Sequence, residues 1–298
     1  MHSRCLACLV LATAACATAP AQKGPATFTY APAPGTKYVR TVKLVSETSL
    51  PGTAFRQLDE REFVWNIGIE REGDSTLVKQ QLQRLVVRIN GADVLDGERG
   101  PGADVSVDLV VDRSAQVTEV RGAEKAAQLL AALARPGARE VAQTMFTPEL
   151  VKDIAVARFD MVVRDIVGRP TAPVSSWTVP DTDPAVRSKT LTVDRTEPCG
   201  ATSCARVSAE YAVNPRAGAR RALQSAATFL ARNGVDPRST EVAEATLEYR
   251  DELLLEQATM VDHGATFSET ARVVFAGQGG QPIPVEFKAK LEQSSEFP

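Results

Sequence analysis

Glu62-Phe-Val-Trp-Asn-Ile-Gly-Ile-Glu70 decides how the first half of this chain reads. Phe63, Trp65, Ile67 and Ile69 fall on one parity, and Val64, Asn66, Gly68 and Glu70 on the other. Successive side chains of an extended chain point to opposite faces, so this stretch is a strand with one apolar side. The pattern continues on both flanks, from Thr36 to Ser49 and again from Ser75 to Asn90. Val105, Val107, Leu109 and Val111 repeat it further on. Pro51-Gly52, Glu72-Gly73-Asp74, Asn90-Gly91 and Arg113-Ser114 punctuate the runs as turns. Alternation of this kind marks antiparallel strands packed on a single side.

The period then changes from two to between three and four. Ala126, Leu129, Leu130 and Leu133 recur at helical spacing before Pro136-Gly137 breaks the run. Thr147 is a capping residue, Pro148 suits the first helical position, and Glu149 favours the positive end of the helix. Leu150, Ile154, Ala157 and Met161 follow at three or four residue intervals. Helices are expected over 123–134, 138–145 and 148–166. Strands resume after a proline-rich connection, interrupted by one helix from Pro215 to Asn233-Gly234. Three closing strands follow, with turns at His263-Gly264 and Gly277–Gly280.

The N-terminus sets the compartment. Arg4, the apolar stretch Leu6–Ala12 and small residues to Ala21 have the three-part anatomy of a secretory signal. The apolar run is well short of the roughly 20 residues that span a bilayer as a helix. Leu11-Ala-Thr-Ala-Ala-Cys16 resembles a bacterial lipobox, which makes Cys16 the lipidation site, although Thr13 stands where that pattern has leucine. Ordinary cleavage after Ala17 or Ala21 is the alternative and would release a secreted protein. The expected location is extracytoplasmic: the bacterial periplasm or outer membrane, held by an N-terminal lipid anchor.

Cysteine usage agrees with export. Of five cysteines, Cys5, Cys8 and Cys16 lie in the leader or lipid site, leaving Cys199 and Cys204 for the body. An even pair in an oxidising compartment reads as a disulfide, here a staple across a hairpin end. A net charge of −3, with Lys and Arg dispersed, gives no phosphate-binding stripe and argues against a nucleic-acid partner.

Catalytic chemistry finds little support. Of two histidines only His263 lies in the body, so neither a zinc-binding H-E-x-x-H helix nor a serine triad with a G-x-S-x-G elbow can be assembled. No metal site and no cofactor are expected. Asp181, Asp183 and Asp194 read as solvated turn carboxylates rather than a calcium loop. Trp65 reads as a buried anchor, whereas Trp177, beside a loop, is the candidate ligand contact.

The order of strands, the segment Ala115-Gln-Val-Thr-Glu-Val-Arg-Gly122 leading into helices, and an isolated Trp before a second strand set are similar to uncharacterised bacterial envelope proteins, many of them lipoproteins. Their corresponding segment has the pattern G-x-V-x-x-V-x-G, with Ala115 here replacing the first glycine; the downstream counterpart is Val261–Phe267. The resemblance brings no catalytic residues, and at fold level it extends by analogy to lipoprotein carriers.

The resulting expectation is a leader with lipobox and start of a tether over 1–21, then one α+β domain over 22–298. Within it, 22–121 is a first strand set, 122–168 is helical, and 169–298 is a second strand set with one helix. The expected architecture is a large curved antiparallel sheet drawn from both halves, with helices packed on its concave face. The expected function is non-enzymatic: an envelope protein binding a hydrophobic small molecule or a protein partner between sheet and helices. The alternatives are a structural envelope component without ligand, and a hydrolase using carboxylates alone.

Overall fold

A computed structural model describes residues 26–95, 105–135, 146–158, 163–181, 185–214, 242–276 and 282–298, with a few isolated positions between them. In chain order the elements are β1 (Lys37–Ser49), β2 (Arg56–Glu72), β3 (Ser75–Ile89), β4 (Ala92–Asp93), β5 (Ser106–Val111), β6 (Val117–Arg121), α1 (Ala123–Ala132), α2 (Pro148–Arg158), α3 (Arg164–Ile166), β7 (Ser176–Pro180), β8 (Val186–Cys199), β9 (Thr202–Val213), β10 (Val242–Glu256), β11 (Asp262–Ala276) and β12 (Pro282–Glu296). The leader with Cys16, the expected helices over 138–145 and 215–234, the Gly277–Gly280 turn and Asp183 lie outside the described residues.

All twelve strands belong to one antiparallel sheet in the order β6-β5-β3-β2-β1-β12-β11-β10-β9-β8-β7, with β4 paired to β3. The chain starts at the centre with β1, meanders out to the β6 edge, and passes through the helical segments. It re-enters at the opposite edge with β7 and meanders back until β12 pairs with β1. Eleven register pairs, from Val39↔Glu296 to Ser49↔Glu286, close this central seam.

The expected α+β class is therefore corrected. Among the described residues strand accounts for 63% and helix for 13%, so this is a mostly-β fold and not a sheet under a helical layer. The physical reason is strand length. β2 runs 17 residues and β3 15, against a usual five or six, so the sheet supplies most of its own apolar surface. Among the described residues of 123–166, α1 packs on α2, and both touch β5. Ala123, Ala126, Ala127 and Leu130 form the buried face of α1.

Register explains why the alternation was so legible. Leu44, Leu291, Phe267, Asp251, Ala209, Leu191 and Trp177 stand opposite one another in succession, from β1 through β12 to β7. On the other wing, Val111, Leu109 and Val107 pair with Thr76, Val78 and Gln80 of β3. One core cluster includes Leu109 and Val111 of β5, Leu130 of α1, Ile166 of α3 and Leu191 of β8. A second, smaller cluster gathers Ala271, Val273, Phe275 and Val285 at the far ends of β11 and β12.

The resemblance segment forms β6 and the joint to α1. Ala115 takes a left-handed backbone with φ of 62° and is fully buried. The Asp112 carboxylate pins the loop before it, accepting from the Ser114 and Gln116 amides at 2.8 and 2.9 Å. These hydrogen bonds, with that of the Ser114 hydroxyl first among them, hold the carboxyl below its usual pKa. Gly122 (φ 84°) then turns the strand into α1.

Candidate functional site

A groove of about 450 Å³ runs along α1. Ala127, Ala131 and Ala132 on α1 face Phe146 and Pro148 across it, and Gln128, Arg139 and Gln143 complete its lining. Small residues at helical spacing make the groove: a run of alanines keeps one side of α1 low, so facing side chains do not fill the gap. Thr147 starts the opposite wall, its hydroxyl accepting from the Leu150 amide at 3.2 Å as the cap of α2. The volume falls in the range typical of small-molecule sites, and its lining mixes an apolar floor with one cation and two amides.

A second feature is a polar island set into the apolar face of the sheet. Asp251 sits between Phe267 and Ala209 in the row described above, and it is 6% exposed. Tyr211 donates its hydroxyl to the Asp251 carboxylate. Burial pushes the Asp251 pKa up to about 6, opposed by that hydrogen bond and by the charge of Lys189. Burial, together with the neighbouring carboxylate, likewise raises the Tyr211 hydroxyl far above its ordinary value. Tyr249 stacks edge-on to Tyr211 with centroids 5.5 Å apart, and its own register partner is Glu269, also buried. Lys189, 3% exposed, pairs with Asp165 at 2.7 Å and Asp181 at 3.6 Å. These groups face inward and are packed among side chains, so the island is a structural network and the α1 groove is the feature open to a ligand.

A third cluster surrounds Arg40. Its guanidinium lies 3.0 Å from the Tyr38 hydroxyl and 3.5 Å from Asp262, to which Gln293 also donates. Arg40 Nε is buried without a partner beside a cavity of about 20 Å³, room enough for a single water.

The residues singled out from the sequence are dispersed. Trp177 donates its indole N–H to the Asp165 carbonyl at 3.0 Å, with the Arg169 guanidinium 6.0 Å from its ring. It lines neither cavity. Trp65 is half-buried and stacked near Phe63. Asp181 pairs with Lys189, and Asp194 accepts from the Ser208 hydroxyl at 2.9 Å. The Cys199–Cys204 disulfide is formed, with Cα atoms 5.7 Å apart across the β8–β9 hairpin end. His263 is not a turn residue. The β10–β11 turn falls earlier, where Met260 takes a φ of 58° and its amide donates to the Glu256 carbonyl. His263 follows as the unpaired residue of a bulge in β11.

The alanine groove and the polar island were missed as sites. The island left a signal: in Leu247-Glu-Tyr-Arg-Asp-Glu-Leu-Leu-Leu255, a carboxylate occupies the parity that otherwise carries Leu247, Tyr249, Leu253 and Leu255. A charge on the apolar parity of a strand is buried and needs partners. The groove left none, because its far wall comes from another segment.

Among the described residues no helix is long and apolar enough to cross a membrane. Neither known protein families nor curated proteins match the chain. Among solved structures, lipovitellin, from a study of its lipid–protein interactions, overlaps 89% of this chain with a TM-score of 0.45 and 11% identity. The overlap spans only 25% of the lipovitellin chain. DynF from the dynemicin biosynthesis pathway of Micromonospora chersina overlaps 94% of this chain and 93% of its own, with a TM-score of 0.20 and 8% identity. Overlaps this weak say nothing about what the chain binds.

Proposed function

We propose that the protein is a non-enzymatic, exported envelope protein that binds an amphiphile in the α1 groove, its apolar chain on the alanine floor and an anionic head against Arg139. The observation that carries this reading is the groove itself: about 450 Å³ with Ala127 and Ala131 facing Phe146 and Pro148 across it and Arg139 in its lining. The N-terminal sequence supports export and a lipid anchor at Cys16, which would hold the groove close to a membrane, the source of such ligands. An apolar chain leaving water for the groove gains about 25 cal/mol per Å² buried, and a single cation selects the head group.

The test is titration with a fluorescent fatty-acid analogue whose emission rises in apolar surroundings. The wild-type chain is expected to bind it at one site, Ala131→Trp to abolish binding by filling the groove, and Arg139→Glu to weaken it about ten-fold or more. Equal binding by wild type and Ala131→Trp, or none by either, would remove the proposal.

A further inference from the structure

The two cysteines and the single histidine of the described residues come from three separate strands, yet the fold brings them together. Cys199 ends β8, Cys204 lies in β9, and His263 lies in β11. Both sulfurs and a ring nitrogen of His263 lie within 4.8 Å of one another. Nothing in the order of the sequence requires this. It follows from the β11 bulge, which inserts His263 as an extra residue between the pairs Leu254↔Gly264 and Leu255↔Asp262, while β10 brings Glu256 opposite Cys204.

We propose that the Cys199–Cys204 disulfide, once reduced, becomes a binding site for Zn²⁺ or a cation of similar softness, with both thiolates and the His263 imidazole as ligands. Two sulfurs and one imidazole nitrogen form a donor set that zinc favours, and three protein ligands leave a fourth position for water. Metal–sulfur bonds of about 2.3 Å and metal–nitrogen bonds of about 2.0 Å hold tetrahedral ligands roughly 3.3–3.8 Å apart, so the existing triangle needs only side-chain adjustment once the S–S bond opens.

The surroundings suit this. Cys199 and Cys204 are 8% and 0% exposed, which shields a bound ion. The His263 ring stacks on Phe297 with centroids 4.5 Å apart, fixing its plane. The Thr202 hydroxyl, 3.3 Å from Cys199 Sγ, can donate to a thiolate there. The hairpin-end position of the disulfide gives a reductant its route, since such ends open at far lower cost than strand centres.

The chemistry balances with a small dithiol as reductant. It passes two electrons and two protons to the disulfide, breaking the S–S bond, and leaves as a cyclic disulfide. Zn²⁺ then displaces the two thiol protons and binds both sulfurs. In the oxidised state both sulfurs are committed to each other and the site is closed, so redox state gates metal binding.

The full chain, reduced with dithiothreitol and desalted without oxygen, would be titrated with Co²⁺, which reports thiolate ligation through a near-ultraviolet charge-transfer band. The reduced chain is expected to take one Co²⁺, displaced by Zn²⁺, and the oxidised chain none. His263→Ala, reduced in the same way, is expected to bind at least about ten-fold more weakly. Far-ultraviolet circular dichroism shows whether the reduced sheet persists. No band in the reduced chain, equal affinity in His263→Ala, or loss of the sheet signal on reduction would each overturn the proposal. The groove of α1 takes no part, so fatty-acid binding tests a separate claim.

Discussion

At the scale of single residues, Asp251 shows what a buried charge does to this sheet. In water its carboxyl ionises near 3.8, and in the fold near 6, mainly because burial disfavours the anion. A carboxyl whose folded pKa is raised keeps its proton in the native state while the unfolded chain has lost it. This group's contribution to stability is therefore largest below about pH 4 and falls as pH rises toward 6. A shift of that size corresponds to roughly 3 kcal/mol. Asp251→Asn keeps an acceptor for the Tyr211 hydroxyl and removes the titration. Urea unfolding at pH 4.5 and 7.5 is expected to show wild type weakening relative to the variant at the higher pH. Parallel behaviour of the two would place the effect elsewhere. The sequence held this in plain view, as one Asp on the apolar parity of β10. Its partners could not be read, because Tyr211 and Lys189 come from strands that pair with β10 directly or through β9.

At the scale of elements, the joint between β6 and α1 carries the switch from period two to period 3.6. A Cβ added to Gly122 would sit 2.7 Å from the Ser106 carbonyl oxygen, on a residue with φ of 84°. Left-handed backbone costs a non-glycine residue about 1–2 kcal/mol, and the clash adds to it. Gly122→Ala is expected to destabilise the protein by at least about 2 kcal/mol in urea unfolding. Ala115→Gly makes an informative contrast: it relieves a left-handed residue but deletes a buried methyl, two effects of about 1 kcal/mol each that nearly cancel. A large loss in Ala115→Gly with none in Gly122→Ala would reverse this assignment. Turn chemistry of this kind is local and was legible. So was the disulfide across the β8–β9 end, since two cysteines flanking a short loop between strands have little else to pair with. The β10–β11 turn was misplaced because His263-Gly264 mimics a turn, while the actual reversal uses a left-handed Met260 that no residue preference announces.

At the scale of the whole molecule, the seam between β1 and β12 joins two meanders that begin and end the described chain. Every contact across it is long-range, so it forms late and depends on both halves being folded. Removing residues 282–298 would leave β1 and β11 as long, unpaired edges with apolar faces, the condition under which sheets aggregate. The truncated chain is expected to elute as aggregate in size-exclusion chromatography where the full chain elutes as a discrete species. A discrete, folded truncation would show the two meanders to be independent.

Strand character, the turns at Pro51-Gly52, Glu72-Gly73-Asp74, Asn90-Gly91 and Arg113-Ser114, the capped start of α2 and the pairing of the cysteines were determined by the sequence itself. Each depends on alternation, helical spacing or backbone preference within a few neighbouring residues. The balance between sheet and helix was decided only in three dimensions, because strands of 13 to 17 residues pair with one another and leave helices a minor share of the core. Tertiary structure alone also decided the groove along α1, the island around Asp251 and the meeting of His263 with the disulfide. The groove forms where α1 meets the residues leading into α2, whereas in the other two strand order and register bring together side chains from separate strands.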